Sequence, residues 1–185
     1  MTGKAPASAG LYEEYLVTLA IGGDREAADR LARRFQPRLL RTARRMLADS
    51  ELAMSVVQEA WVSILRGLPR LREPASFAPF AFGVLRRRCV DAIRKVQRRR
   101  AVFDEGAEAA GGSAGRPDDA IAIKQAFAGL PPDQRLAAHL FFVEGLTLAE
   151  IAQVQGVPIG TAKSRLFHAR QKLKAALAPF KGEVP

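Results

Sequence analysis

Residues 145–174, GLTLAEIAQVQGVPIGTAKSRLFHARQKLK, constrain the fold of this chain more than any other segment. Thr147 and Glu150 have the spacing of a capping box, in which a hydroxyl and a carboxylate satisfy free N–H groups at the start of a helix. Gly156 can end that short helix in the left-handed conformation, and Pro158 suits the first position of a second helix. The pattern predicts two helices joined by a tight turn.

The second of these helices combines an apolar stripe with a basic outer face. Helical spacing relates six apolar positions, namely Ile159, Ala162, Leu166, Ala169, Leu173 and Leu177. Most of the cations lie off that stripe, namely Lys163, Arg165, Arg170, Lys172 and Lys174. A short helix, a glycine turn and a basic second helix are typical of a helix-turn-helix that binds in the DNA major groove. From this segment alone, a basic face that only meets water is the alternative.

The charge of the whole chain also indicates a polyanionic partner, because the net charge is +10. Residues 24–100 carry 19 Lys and Arg against 8 Asp and Glu, and residues 120–181 carry 8 against 3. Between these basic blocks, residues 101–119 carry 1 against 5. Because residues 101–117 are also rich in Gly and Ala, we expect them to form a flexible acidic linker.

The composition, in which aromatic residues are scarce and Leu, Ala and Arg dominate, favours helices over strands. Helical periodicity predicts helices over residues 11–21, 24–47, 50–66, 84–100, 118–128 and 131–144, with a loop over 67–76. Pro37 predicts a kink or a second segment in the 24–47 helix. We expect Leu65 and Val143 to face the core. The predicted fold is all-α, with two small helical domains joined by a flexible linker and a C-terminal helix-turn-helix.

Three further features of the N-terminal half bear on nucleic-acid binding, and two of them can be explained in more than one way. The 84–100 helix carries eight Lys and Arg against Asp91 alone, and such crowding is natural beside a phosphate backbone. The arginine-rich face of the 24–47 helix can contact DNA or simply be solvated. Phe77, Phe80 and Phe82 can belong to the core, although an exposed member could stack on an unpaired base.

The residues needed for catalysis or for a metal site do not occur in any recognisable pattern. Cys89 is the only cysteine, which excludes an internal disulfide and a multi-cysteine zinc site. His139 lies in an apolar run, so we expect it in the core. No phosphate-binding glycine loop or catalytic set is present, and we therefore expect no enzyme, no cofactor and no metal. No segment is as apolar as a membrane span or a signal peptide, so we expect a cytoplasmic protein without membrane insertion.

The chain resembles the extracytoplasmic-function (ECF, group 4) sigma factors of bacterial RNA polymerase, within the sigma-70 family. The motifs that carry the resemblance in the C-terminal half are LPPDQR (130–135), EGLTLAEIA (144–152) and GTAKSRLFHARQKL (160–173). Those in the N-terminal half are GDREAADRL (23–31), PRLLRTARRML (37–47), VQEAW (57–61) and the arginine-rich helix around Asp91.

The resemblance implies an alternative sigma factor that directs promoter-specific initiation, in a stress or environmental response. Residues 11–100 would form sigma domain 2, which binds core polymerase and recognises and melts the minus-ten element. Residues 101–117 would form the linker, and residues 118–178 would form sigma domain 4, whose helix-turn-helix reads the minus-thirty-five element. The implied partners are the β and β′ subunits of RNA polymerase core, promoter DNA and an anti-sigma factor.

The resemblance also implies roles for individual residues. Those implied to bind the upstream element are Thr161, Lys163, Ser164, Arg165, His168 and Arg170. Those implied to recognise and melt the minus-ten element are Phe80, Arg86, Arg87, Arg88, Arg94 and Lys95. Gln58 and Glu59 occupy the positions at which the family contacts the clamp helices of the β′ subunit. The chain departs from the family pattern at Met54 and Ser55, where acidic residues are usual, at Phe80, where tryptophan is common, and at Arg87, where asparagine is frequent.

Two other functions remain open from the sequence. A stand-alone helix-turn-helix regulator would bind DNA without polymerase, but it would have no use for the VQEAW segment or the basic 86–100 helix. A sigma-like decoy would bind only an anti-sigma factor, and it would not need Lys163, Arg165 and Arg170. Loss of DNA affinity in the variant Arg165→Ala is expected to distinguish a DNA reader from a decoy.

Overall fold

The fold is given by a computed structural model that describes residues 7–47, 49–103 and 119–177. Within these ranges the chain forms eight α-helices and two short 3-10 helices, and no strand. It divides into two compact units, Met1–Glu108 and Ala109–Pro185. The predicted all-α class with two helical units is confirmed. Most of the predicted linker, from residue 104 onward, lies outside the described residues.

The first unit contains four α-helices, which are α1 (Ala7–Ile21), α2 (Arg25–Met46), α3 (Ser50–Gly67) and α4 (Phe77–Phe103). The predicted 67–76 loop contains two 3-10 turns, at Leu68–Arg70 and Pro74–Ser76. Helix α4 begins seven residues before the predicted start at Val84, so that the phenylalanine cluster forms its first turns. It also continues three residues into the segment predicted as linker.

Helices α2 and α3 are each capped by the aspartate that precedes their first residue, Asp24 and Asp49. The Ala27 N–H donates to Asp24 Oδ1 at 3.0 Å, and the Glu51 N–H donates to Asp49 Oδ1 at 2.8 Å. These bonds satisfy N–H groups that have no partner inside the helix. No second segment begins at Pro37, because α2 runs on through it as one helix whose buried residues continue on both sides.

The core of the first unit lies among its four helices and includes Val17, Leu31, Phe35, Leu39, Val57, Ile64, Phe82, Leu85 and Cys89. The rings of Phe35 and Phe77 meet edge to face with centroids 4.8 Å apart. Burial raises the pKa of the Cys89 thiol to about 12, so this thiol is protonated at neutral pH. Leu65 is 46% exposed, against our expectation. The face that α3 buries passes through Ile64, and the next residue points about 100° away.

The second unit contains α5 (Asp119–Ala128), α6 (Pro132–Phe142), α7 (Leu148–Gln155) and α8 (Ile159–Leu177). Its core includes Phe127, Leu130, Ala138, Ala169 and Leu173.

Helix α6 buries Leu136, Leu140 and His139, as predicted, and His139 Nε2 lies 3.4 Å from Glu144 Oε1. Val143 is 43% exposed, so the prediction that it faces the core is wrong. Helix α6 ends at Phe142, and Val143 is its C-cap, beyond the last buried turn. Across the described residues, no helix combines the length and the apolar character needed to cross a membrane.

Candidate nucleic-acid interface

The helix-turn-helix of the second unit is built by the local chemistry that the sequence predicts. The Thr147 N–H donates to Glu150 Oε2 at 2.7 Å, and the Glu150 N–H donates to Thr147 Oγ1 at 3.3 Å, which completes the capping box. Gly156 adopts φ 63°, the left-handed conformation that ends α7. The Pro158 carbonyl accepts from the N–H groups of Thr161 and Ala162, so Pro158 precedes α8 instead of forming its first residue.

The apolar stripe of α8 is buried through its middle and exposed at its start. Ala162, Leu166, Ala169 and Leu173 are buried as predicted. Ile159 is 58% exposed, so its assignment to the buried stripe is wrong. It is the first residue of α8 and lies ahead of the turns that pack against the rest of the unit.

The first half of α8 presents an exposed row of polar, basic and aromatic side chains. This row, which we call the α8 reading face, comprises Thr161, Lys163, Ser164, Phe167 and His168. The sequence prediction missed Phe167, which is 55% exposed and meets the ring of His168 edge to face at 5.6 Å. Its position outside the 162, 166, 169, 173 stripe was the available signal, since a large aromatic off the buried face must meet solvent or a partner.

Two arginines predicted to bind the upstream element make contacts with other parts of their own unit. Arg165 Nη2 lies 2.7 Å from Asp133 Oδ2, and its Nη1 donates to Gln155 Oε1 at 2.9 Å. The Arg170 guanidinium lies over the rings of Phe141 and Phe142, at 4.9 and 5.5 Å from their centroids. Arg165 is half-buried at the flank of the α8 reading face, whereas Arg170 is exposed and lies two turns after Lys163 on the same side of α8.

In the first unit, α4 carries an exposed basic row. Arg87, Arg94 and Lys95 are exposed, and within the described residues none of them forms a salt bridge. Arg88 is exposed but its Nη2 donates to Ser63 Oγ on α3 at 2.7 Å, while Arg86 is half-buried. The structure therefore divides the predicted minus-ten cations into three that face outward and two that are held against the unit.

Phe80 is half-buried and packs on the end of α3. A Cβ built on Gly67 would lie 2.7 Å from Phe80 Cζ, so the ring occupies the space that any larger residue would need. Phe80, Arg87 and Arg94 are spaced by seven residues and so follow one side of α4. Phe77 and Phe82 belong to the core.

The arginines of α2 differ from those of α4 because several are neutralised by acidic neighbours. Arg33 lies 2.7 Å from Asp29, and Glu13 on α1 receives both Arg34 at 2.7 Å and Arg38 at 3.5 Å. These pairs favour the interpretation that this part of the arginine-rich face is structural and solvated.

Helix α3 exposes Gln58 and Glu59 next to an apolar strip. Met54, Val62 and Leu65 are 45%, 49% and 46% exposed, and with Gln58 they follow helical spacing along one side. A contiguous exposed apolar patch is one feature of protein-contact surfaces. Among the residues that the structure describes, no three His, Cys, Asp or Glu side chains are grouped as a metal site would require.

Comparison with known proteins identifies the family. Residues 31–100 match the model of sigma-70 region 2, and residues 120–173 match that of sigma-70 region 4. The ECF RNA polymerase sigma factor SigM of Mycobacterium tuberculosis is 31% identical over 162 residues, which cover 88% of this chain and 83% of that protein. The chain belongs to the ECF sigma factors of the sigma-70 family.

Other relatives of this ECF sigma factor extend the likeness over nearly the whole chain. The RNA polymerase sigma-H factor of Pseudomonas aeruginosa is 28% identical over 93% of this chain and 97% of its own. The sigma factor RpoE of Bartonella quintana, solved with the anti-sigma factor NepR, gives a TM-score of 0.68 at 24% identity, with 81% of this chain and 96% of its own covered. CnrH, solved with the cytosolic domain of CnrY, gives 0.65 at 20% identity, covering 91% and 98%. The two solved structures share the fold.

The sigma-70 family consists of non-enzymatic transcription initiation factors. As an alternative sigma factor of this family, the chain binds RNA polymerase core and promoter DNA and acts in transcription initiation. The function predicted from the sequence is confirmed at this level.

Proposed function

We propose that this chain is a group 4 sigma factor that directs core polymerase to promoters with two separated elements, in response to a stress or environmental signal. The observation that carries the proposal is the presence, in separate units of one chain, of two unlike surfaces suited to DNA. One is the α8 reading face, and the other is the basic row of α4. A stand-alone regulator would need only the first.

The α8 reading face is proposed to contact the minus-thirty-five element in the major groove. Lys163, Ser164 and His168 supply hydrogen-bonding groups for base edges, and Thr161 lies in the first turn, where side chains reach the groove or its phosphates. Phe167 offers an apolar surface of the kind that contacts a thymine methyl group. Arg165 and Arg170, which the resemblance also implied, are proposed to act from the flanks of this face.

The basic row of α4 is proposed to meet the minus-ten region. Arg87, Arg94 and Lys95 face outward and are available to phosphates, while Arg86 and Arg88 shape the surface beside them. Phe80 lies in line with Arg87, and the exposed part of its ring is proposed to contact a base of the melted strand. Because this ring is held against Gly67, the contact would be made by a fixed edge and not by a freely moving side chain.

The apolar strip of α3 is proposed to dock on the β′ subunit of core polymerase. Gln58 and Glu59 would supply polar contacts beside Met54, Val62 and Leu65. Met54 stands where the family usually has an acid, so this chain would rely more on apolar contact at that position. Residues 11–100, 101–117 and 118–178 are proposed to serve as sigma domain 2, linker and sigma domain 4.

The remaining proposals concern partners and location. A protein that acts with polymerase on chromosomal promoters works in the cytoplasm, without membrane insertion. The solved RpoE of similar fold is in complex with an anti-sigma factor, and we propose an anti-sigma factor as a partner of this chain as well. The chain is proposed to have no catalytic activity, cofactor or metal of its own.

The test is in vitro transcription with purified core RNA polymerase on fragments of genomic promoter DNA, with and without the protein. We expect new start sites that depend on the protein and share two spaced upstream elements. DNA footprints by the protein alone, without such transcripts, would instead indicate a stand-alone regulator. Absence of both activities would indicate a decoy. Lys163→Ala, a change on the exposed reading face, is a cleaner probe of DNA reading than Arg165→Ala, since Arg165 contacts its own unit.

A further inference from the structure

Three polar side chains from three helices form a closed ring at one edge of the helix-turn-helix. Arg165 on α8 contacts Asp133 Oδ2 in the first turn of α6, at 2.7 Å, and Gln155 Oε1 at the end of α7, at 2.9 Å. Gln155 Nε2 then donates to the backbone carbonyl of Asp133 at 2.9 Å. We call this ring the Asp133–Gln155–Arg165 clasp.

Because Gln155 is buried, breaking the clasp would be energetically costly. Gln155 is 2% exposed, and both ends of its amide are used within the ring. If Arg165 moved away, Gln155 Oε1 would lose a charged donor inside the unit, where an unsatisfied acceptor is costly. The Arg165 side chain is only 23% exposed, and the Asp133 carboxylate is 48% exposed.

The clasp lies on the flank of α8 and not on its reading face. Successive residues of a helix are about 100° apart, so Arg165 is turned about 160° from Phe167 and lies beside Thr161, at the edge of the reading face, about 40° away. Apolar packing of α7 and α8 holds the two helices together but tolerates small sliding movements. A ring of three directional bonds fixes their relative position, and base readout needs its side chains held within about 0.5 Å.

We propose that Arg165 is a positioning residue, which sets the orientation of α8 through the clasp, and that upstream-element selectivity depends on Asp133 and Gln155 as well. This inference rests on the proposed reading of the upstream element by α8. It replaces a direct contact of Arg165 with bases or phosphates. Asp133, an acidic residue on α6, thereby becomes a determinant of DNA selectivity.

The experiment uses holoenzyme assembled from core polymerase and the full chain. The probes are the strongest promoter fragment found by in vitro transcription and the same fragment with its upstream element scrambled. Selectivity is the ratio of transcripts from the two, and the salt dependence of binding is measured on the intact promoter. The variants are Asp133→Ala, Arg165→Ala and their double, and Lys172→Ala is the control, since Lys172 is an exposed cation on the same flank of α8 outside the clasp.

We expect Asp133→Ala and Arg165→Ala each to lower selectivity by roughly 10-fold, the size expected when a charged hydrogen bond is lost. The double variant should lose no more than either single one, because both break the same ring. The slope of log affinity against log salt concentration should stay unchanged in all of these variants. Lys172→Ala should keep the selectivity of the unaltered protein.

A direct phosphate contact by Arg165 would give the opposite pattern and overturn the proposal. Asp133→Ala would then free the arginine and preserve or increase affinity, while Arg165→Ala would flatten the salt slope by about one. If the alanine variants unfold, Asp133→Asn and Arg165→Lys are compared instead, and unchanged selectivity in both would overturn the clasp. If the unaltered holoenzyme transcribes the intact and the scrambled fragments equally, the proposed reading of the upstream element is itself contradicted. That result differs from the results that overturn the clasp alone.

Discussion

At the scale of single residues, the contact between Gly67 and Phe80 shows how a backbone position can fix a side chain that is proposed to contact DNA. The absence of a side chain at the end of α3 leaves the space that the Phe80 ring fills, and Phe80 in turn packs near Phe77, with ring centroids 6.5 Å apart. The proposed contact with the minus-ten region therefore depends on a glycine that is not itself proposed to touch DNA.

We expect Gly67→Ala to destabilise the protein by about 1–2 kcal/mol, because the added Cβ at 2.7 Å would displace the ring from its packed position. Gly160→Ala is the control, since a Cβ there meets nothing within 4 Å, and it should be neutral or stabilising. Urea denaturation followed by circular dichroism measures both. Equal stability of the two variants would contradict the packing argument.

At the scale of elements, the capping box decides where α7 begins. We expect Thr147→Ala to cost about 1 kcal/mol of stability, since the Glu150 N–H loses its acceptor and Glu150 Oε2 loses the bond from the Thr147 hydroxyl. Thr147→Ser should keep most of that stability because it keeps the hydroxyl. Chemical denaturation of the three proteins gives the result, and a serine variant as unstable as the alanine variant would argue against a role of the hydroxyl.

The elements also show which parts of the structure could be predicted from the sequence. Helix caps at Asp24, Asp49 and Thr147 and the turn at Gly156 depend on residues within a few positions, so local chemistry determined them. The partners of Arg165 did not follow from the pattern, because Gln155 and Asp133 reach it only once α6, α7 and α8 have packed together.

The same limit applies to exposure within the site. The basic and polar positions of α8 could be named from helical spacing, but the spacing does not say which end of a stripe reaches the core. The spacing therefore assigns Ile159 to the buried side and gives no role to Phe167. In the first unit, the pairing of Arg34 and Arg38 with Glu13 depends on how α1 packs on α2, so the sequence left that arginine face with two interpretations.

At the scale of the whole molecule, the cations differ in whether an acidic side chain of the protein already pairs with them. Arg94 on α4 forms no salt bridge within the described residues, whereas Arg33 on α2 is paired with Asp29 at 2.7 Å. A cation that neutralises a phosphate on binding releases counterions, and a cation that stays paired in its own protein does not. The distribution of pairs therefore predicts which charges govern affinity for DNA.

We expect the isolated protein to bind duplex DNA weakly, with affinity that falls steeply between 50 and 200 mM salt, about the range over which phosphate contacts are screened. Arg94→Ala should reduce the slope of log affinity against log salt by about one, while Arg33→Ala should leave it unchanged. Fluorescence anisotropy with a labelled duplex measures both slopes. Binding that is insensitive to salt, or equal effects of the two substitutions, would refute this assignment of the charges.

The interlock of Gly67 with Phe80 also has a consequence for the evolution of the sequence. The two positions are thirteen residues apart and lie on different helices. In this arrangement the Phe80 ring leaves no room for a side chain at position 67. Among homologues, a side chain at the position of Gly67 should accompany a smaller or reoriented residue at the position of Phe80. Lineages that alter the aromatic at position 80, and with it the proposed contact with promoter DNA, would then inherit that change together with a substitution at the end of α3.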